Sequence, residues 1–263
     1  MDPRLRGAGR LRSGRWLGQH SLRSHKLAAN LVGRAEISAS DLVIEVGAGN
    51  GILTTELARH ARGVIAVELD PTQAVTLIKT FSGRENVLIV AGDFLHLALP
   101  AERFRTFGNI PFGATTAFLR RLLDLSPSGL WRADLVVEHA VAVKRAGYRG
   151  GNLLNLGWAP WWRFRMGTPL PARCFSPPPS VDAAMLTIEQ RKEPLLPEQE
   201  RPAYIEFLRA CFGASEIRAA VKPFVSDRRF TRLAVELGIV PGTPPPALTT
   251  DQWVDLYRVL KQR

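Results

Sequence analysis

From residue 41 onward the chain alternates short β-rich runs with amphipathic stretches, and this alternation limits the available folds more than any other feature. Residues 42–47 (LVIEVG), 64–69 (VIAVEL), 87–91 (VLIVA) and 104–110 are short and β-rich, and they read as strands. Between them, residues 51–60, 72–81 and 114–125 read as helices, the second opened by Pro71. Residues 135–138 read as a further strand, and 181–189 (VDAAMLTIE) as a last strand that closes the unit. Strands that alternate with helices pair in parallel and need both faces covered. The expected fold is therefore α/β: a doubly wound, mostly parallel sheet. The charged, Pro-containing segment 190–202 reads as a linker. Beyond it, residues 203–212, 215–223, 227–237 and 251–260 read as helices, punctuated by Gly213, Gly238 and the prolines at 244–246. Two domains are expected, 1–190 and a small helical one, 191–263.

The charge balance says more about partners than about fold. Lys and Arg total 35 against 24 Asp and Glu, a net charge of +11, which suits a polyanion. No run of about 18 apolar residues is present, so no transmembrane helix is expected. The Arg-rich N-terminus has no apolar segment of the secretory kind, and a cytoplasmic protein is expected. Cys174 and Cys211 lie far apart without metal-ligand spacing, so two buried free thiols are expected and neither a disulfide nor a metal. Residues 1–14 read as a mobile basic arm, either a solvated tail or a contact for phosphates. Residues 143–173 contain Lys144, Arg145, Arg149, Arg163, Arg165 and Arg173 with no acid, interleaved with Tyr148, Trp158, Trp161, Trp162 and Phe164. Two readings stand there: an RNA surface, or aromatic side chains in the core with the arginines facing RNA.

Four motifs carry chemistry. Glu45-Val-Gly-Ala-Gly-Asn-Gly51 follows a strand and opens a helix. Its glycines permit close approach of a ligand to the backbone, and the helix start offers unpaired N–H groups. The spacing of Gly47, Gly49 and Gly51 lacks the full dinucleotide fingerprint and suits S-adenosylmethionine better than a pyrophosphate. Glu68, at the end of the next strand, is placed to accept hydrogen bonds from both ribose hydroxyls. Asp93, in Gly92-Asp93-Phe94 after the third strand, can accept from the exocyclic amine of the cofactor's adenine. The fourth motif, Asn109-Ile110-Pro111-Phe112, again follows a strand. The lone pair of an adenine N6 is delocalised into its ring. The Asn109 carbonyl and the Pro111 backbone carbonyl can each accept one N6 hydrogen, which frees that lone pair, and Phe112 offers a stacking face.

The order of Leu17-Gly-Gln19-His-Ser-Leu22, Glu45-Val-Gly-Ala-Gly49, Glu68, Gly92-Asp93, Asn109-Ile-Pro-Phe112 and Phe175-Ser-Pro-Pro-Pro-Ser-Val181 resembles the rRNA adenine N6-methyltransferases. That superfamily holds the Erm macrolide-resistance enzymes and the housekeeping small-subunit rRNA dimethylases; Phe-Gly-Asn-Ile-Pro-Phe resembles the Erm branch. The resemblance implies S-adenosylmethionine as cofactor, with contacts at His20, Leu22, Gly47, Glu68, Asp93 and Asn109, and a role for Phe175 in holding the flipped base. It implies an adenine of 23S rRNA at the macrolide site as substrate, met as naked or immature RNA by a monomer, with drug resistance as the outcome. Relatives of this kind usually read Gln-Asn-Phe-Leu near the N-terminus where this chain has Gln19-His20-Ser21-Leu22. A contact made through backbone atoms survives that replacement, and one made by the Asn amide does not. The competing readings are a small-subunit rRNA dimethylase, and a non-catalytic nucleic-acid-binding relative.

Overall fold

A computed structural model of the chain describes residues 20–124, 129–147 and 151–261. The basic arm at 1–14, Tyr148 and Arg149 lie outside the described residues. The central strands form where the sequence placed them: β2 (Leu42–Val46), β3 (Gly63–Glu68), β4 (Val87–Ala91) and β5 (Phe104–Asn109), followed by the longer β6 (Leu130–Glu138). Together with two strands nearer the C-terminus, β7 (Trp162–Leu170) and β9 (Ala183–Gln190), they make a seven-stranded sheet in the order β4-β3-β2-β5-β6-β9-β7. β9 runs antiparallel to both neighbours and the rest are parallel. The remaining strands, β1 (Ser21–Leu22) and β8 (Phe175–Ser176), form a separate two-stranded ladder.

The pleat sends alternate side chains to two cores. Ile44, Val46, Leu135 and Val137 pack into one, while Val43, Val64 and Val136 pack into the other. The second core is covered by α1 (His25–Arg34), α2 (Ile52–His60) and α3 (Pro71–Thr80), through Leu31, Leu57 and Leu77. The first is covered by α4 (Thr115–Leu123), with Leu119 and Leu122 inward. It continues past α5 (His139–Ala146) and α6 (Leu153–Trp158) into α7 (Arg201–Phe212), α8 (Ile217–Val221), α9 (Asp227–Glu236) and α10 (Thr250–Lys261). Trp158, Trp161, Tyr204, Phe207, Trp253 and Tyr257 belong to that one continuous cluster. The tryptophans at 158, 161 and 162 are thus core residues, the second of the two readings the sequence allowed. The charged segment after β9 is pinned rather than loose: Leu196 is buried, Leu195 N–H donates to the Pro160 carbonyl and Arg191 N–H to that of Trp161. Both cysteines are free; Cys211 is buried as expected, and Cys174 only half-buried.

At the N-terminal ends of the strands a buried ionic network replaces apolar packing. Arg105 bonds the Ala35 and Glu36 carbonyls and pairs with Asp41 (3.2 Å) and Asp134 (3.1 Å). Asp134 also accepts from Arg132 Nε (2.8 Å) and Thr187 Oγ1 (2.8 Å), so each carboxylate oxygen has a donor. The network joins β5, β6 and β9 to the end of α1. No described helix is long and apolar enough to cross a membrane.

Candidate active site

Strand order reverses between β2 and β5: the chain winds from β2 to β3 and β4 on one side, and from β5 to β6 on the other. A crevice opens at such a switch point, at the C-terminal ends of the strands. Here it is a cleft lined by His20, Leu22, Gly47, Gly49, Glu68, Asn109, Pro111 and Phe112 among others. A neighbouring cleft, lined by Asp93, Phe94 and Phe118, shares Gly47, Glu68 and Pro111 with it, so the two form one trough. Of the site residues read from the sequence, all but Phe175 line this trough.

The Gly-rich turn is shaped for a ligand. Gly47, Gly49 and Gly51 have φ of +72°, +54° and +78°, in the left-handed region where side chains are strained. A Cβ on Gly51 would stand 2.9 Å from Leu77 Cδ2. A Cβ on Gly47 would project toward the Asn109 carbonyl, at 3.7 Å, into the slot between the two strand ends. Glu68 is fully buried and bridges the loop: one oxygen accepts the Gly49 N–H (2.7 Å) and the other that of Asp70 (2.8 Å). Each carboxylate oxygen has a further lone pair for a ligand hydroxyl. Asp93 accepts the Leu95 N–H (2.9 Å) through one oxygen, and its other faces the exposed His96 (3.1 Å), a partner that a ligand amine can displace.

Glu45, the first residue of the same motif, does not line the trough. It lies wholly buried beneath the turn, where burial pushes its carboxyl up to about 8, with the nearby Glu68 charge adding to the shift. Thr54 Oγ1 donates to it at 2.6 Å and ties β2 to α2.

Asn109 is held in one orientation. Its Nδ2 donates to the His20 backbone carbonyl at 2.6 Å, and a carbonyl can only accept, so the amide nitrogen must face His20 and Oδ1 is left for a substrate. The His20 ring is anchored in turn. Its Nδ1 lies 2.7 Å from the Pro177 carbonyl, to which it donates, and its centroid is 5.9 Å from that of Phe112. The Pro111 carbonyl already accepts the Ala114 N–H (2.9 Å), which leaves it one lone pair. Phe112 is half-buried and presents its ring at the cleft.

Phe175 is a correction. The resemblance implied that its ring helps to hold the base, but the side chain is fully buried in the second core cluster. It pairs with Leu22 in the β1–β8 ladder and so backs the strand that directly follows His20. Sequence reasoning missed Ser21, Asn50 and Ile110 as lining residues. All three sit inside motifs already singled out.

A switch-point trough with a left-handed Gly turn, an acid at the end of β3 and another after β4 defines an S-adenosylmethionine-dependent methyltransferase. Glu68, Asp93 and the Gly47–Gly49 backbone fit that cofactor, which supplies an electrophilic methyl group when bound. Comparison with known proteins then narrows the class: residues 12–262 match the ribosomal RNA adenine dimethylase family, and the chain belongs to it. It is 30% identical to an rRNA adenine N-6-methyltransferase of Bacillus licheniformis, over 93% of this chain and 86% of that protein. It is 29% identical to the ribosomal RNA small subunit methyltransferase A of Trichormus variabilis, over 95% and 98%. The solved structure of the 23S rRNA methyltransferase ErmE superposes with a TM-score of 0.83 at 32% identity, covering 92% of this chain and 99% of that one. The protein is a ribosomal RNA adenine methyltransferase.

Proposed function

We propose that the enzyme methylates N6 of an adenine in 23S rRNA at the macrolide site and so confers resistance to macrolide-type drugs. The observation that carries the chemistry is the Asn109 amide, oriented by the His20 carbonyl at the mouth of the trough. Asn109 Oδ1 and the free lone pair of the Pro111 carbonyl accept the two N6 hydrogens, while the extruded base stacks on Phe112. Methyl transfer is an in-line displacement, so the protein's work is alignment: base in one half of the trough, cofactor over Gly47, Gly49, Glu68 and Asp93 in the other. His20 and Leu22 close the trough from the N-terminal side, and Phe175 supports them from behind. The 23S target rests on the Phe107-Gly-Asn-Ile-Pro-Phe112 sequence and the likeness to ErmE. The roles divide into a catalytic part, 1–190, and helices 191–263 that add RNA contacts, in a monomer acting in the cytoplasm on RNA not yet assembled into a subunit.

The test is single-turnover methylation of 23S and 16S fragments with saturating S-adenosylmethionine. The wild type is expected to modify the 23S fragment. Asn109→Ala should slow transfer on the order of 100-fold, the scale of a lost catalytic hydrogen-bond partner, with RNA still bound. Phe112→Tyr should be near neutral, and Phe112→Ala should cost the stacking energy of about 1–3 kcal/mol. Methylation of 16S alone would identify a small-subunit dimethylase, and wild-type transfer by Asn109→Ala would exclude N6 chemistry at this motif.

A further inference from the structure

The parallel strands put the trough at one end of the sheet. β9 and β7 then reverse direction twice, so Trp162 and Gln190, paired in register, mark the opposite end. β7 has nine residues, which at about 3.3 Å each separates the two ends by roughly 30 Å. At that far end a cavity of about 430 Å³ opens between the end of α5, the start of β7 and the first turn of α10.

Its charges are unbalanced. Arg145, Arg163 and Arg191 line it against one acid, Asp251. Among the described residues none of the three arginines is in an ion pair. Arg145 is 6% exposed, and its Nη1 donates only to neutral amides, Asn152 Oδ1 (3.1 Å) and Asn155 Oδ1 (2.7 Å). Its Nε–H is buried without a partner, and so is the Nε1–H of Trp162, a second lining residue that is 5% exposed. Burial lowers the pKa of both Arg145 and Arg191; the neighbouring Arg120 lowers the first further, and Arg163 the second, with Asp251 a small opposing influence. Finally, α10 is a 12-residue helix whose N-terminus faces the cavity. Thr249 caps it, donating its N–H to Gln252 Oε1 and accepting the Gln252 N–H. Its first-turn N–H groups and dipole favour an anion.

Guanidinium groups without carboxylates and a helix N-terminus border one space, and two unpartnered N–H groups lie buried behind its wall. That is the chemistry of a tetrahedral oxyanion, for which arginine is matched in shape as well as charge. We propose that this cavity binds a phosphodiester of the ribosomal RNA substrate, about 30 Å from the adenine being methylated. The inference rests on the RNA-methyltransferase reading and extends it: the enzyme grips RNA at both ends of its sheet, so a minimal hairpin holding only the target adenine forgoes part of the affinity.

The double variant R163Q/R191Q tests this, because Arg163 is exposed, Arg191 half-buried and neither is near the trough. K79Q/R84Q, on exposed residues 79 and 84 by the opposite sheet edge, removes the same charge as a control. Binding of a short hairpin and of a long transcript carrying the same adenine is measured by anisotropy across a salt series. The expected result is that R163Q/R191Q abolishes the advantage of the long transcript and makes its log K against log salt slope shallower by about 1, the loss of one phosphate contact, while the control does neither. Single-turnover transfer at saturating RNA should be unchanged, and inorganic pyrophosphate should compete with the long transcript on the wild type more than on R163Q/R191Q. Equal loss on hairpin and transcript, or equal effects of the two double variants, would overturn the cavity in favour of diffuse attraction. If the wild type binds and methylates no rRNA fragment, the functional reading itself fails. Wild-type methylation with unaltered variant binding sinks the cavity alone.

Discussion

Glu68 combines a structural role with a place on the wall of the trough. Its two oxygens accept the Gly49 and Asp70 N–H groups, so the carboxylate fixes the Gly-rich turn before any ligand arrives. Two consequences follow from its removal. Glu68→Ala removes the proposed ribose contacts and frees the turn, and S-adenosylmethionine affinity should fall by about 1–3 kcal/mol, the range for hydrogen bonds to a charged group. Glu68→Gln keeps one acceptor oxygen and should lose less. Calorimetric titration with the cofactor distinguishes the two, and unchanged affinity in Glu68→Ala would remove the residue from the site. His20 likewise acts through two atoms of different kinds. Its carbonyl orients Asn109 while its ring is tethered to Pro177, so the replacement of the usual Asn leaves a backbone contact intact.

At the scale of elements, the junction between β2 and α2 is held by the Glu45–Thr54 hydrogen bond in a dry interior. Glu45 is raised from 4.5 to about 8 by burial first, so the folded protein holds a proton there that the unfolded chain releases above about 4.5. A raised folded value contributes stability in full below the unfolded pKa and loses it as pH climbs through the folded one. Between pH 5 and 8 this one group should therefore lower stability by roughly 1.4 kcal/mol per pH unit. Glu45→Gln keeps a neutral side chain and should flatten the decline, as read from urea midpoints at pH 6, 7 and 8. Identical slopes in the two proteins would mean that Glu45 ionises in the fold without cost. The elements themselves were unevenly legible. β2 to β5 and α2 to α4 could be placed within a few residues, because short runs bounded by Gly and Pro leave few options, and the same runs placed the trough-lining Gly47, Glu68 and Asp93 at three successive strand ends. β7 was given no bounds although Trp162, Phe164, Met166 and Leu170 fall on alternate positions, since Pro169 and four polar or small residues among them blur the strand pattern. An edge position tolerates both, and the register shifts between Met166 and Pro169. α1 and the β1–β8 ladder were missed. Two-residue strands have no periodicity, and their pairing partners lie more than 150 residues apart.

The whole molecule answers a question that the sequence left in an unhelpful form. Residues 190–202 have the composition of a linker, which suggests that the C-terminal helices could be removed to leave a working catalytic unit with less grip on RNA. The packing argues otherwise. Trp158 and Trp161 are 2% exposed, and they share a core with Tyr204, Phe207 and Trp253 from the helices beyond the linker. Trp161 lies edge-on to Tyr204 at 6.0 Å, and Arg201 sits over its ring at 4.5 Å. Arg201 also donates to the Leu123 carbonyl at the end of α4, and the Lys261–Glu200 pair tethers the last helix. Two tryptophans bury about 300–500 Å². At about 25 cal/mol per Å² that is roughly 8–12 kcal/mol, an upper figure because unfolded chains are already partly compact. Even half of it rivals the net stability of about 5–15 kcal/mol of an ordinary domain. A protein ending at Glu189 is therefore expected to lose its cooperative melt, bind hydrophobic dye and fail to hold S-adenosylmethionine, not merely to bind RNA less well. Differential scanning calorimetry and cofactor titration on that truncation decide the matter. A single sharp transition with full-length cofactor affinity would show that the helices beyond residue 190 form an independent domain and that the shared core contributes little.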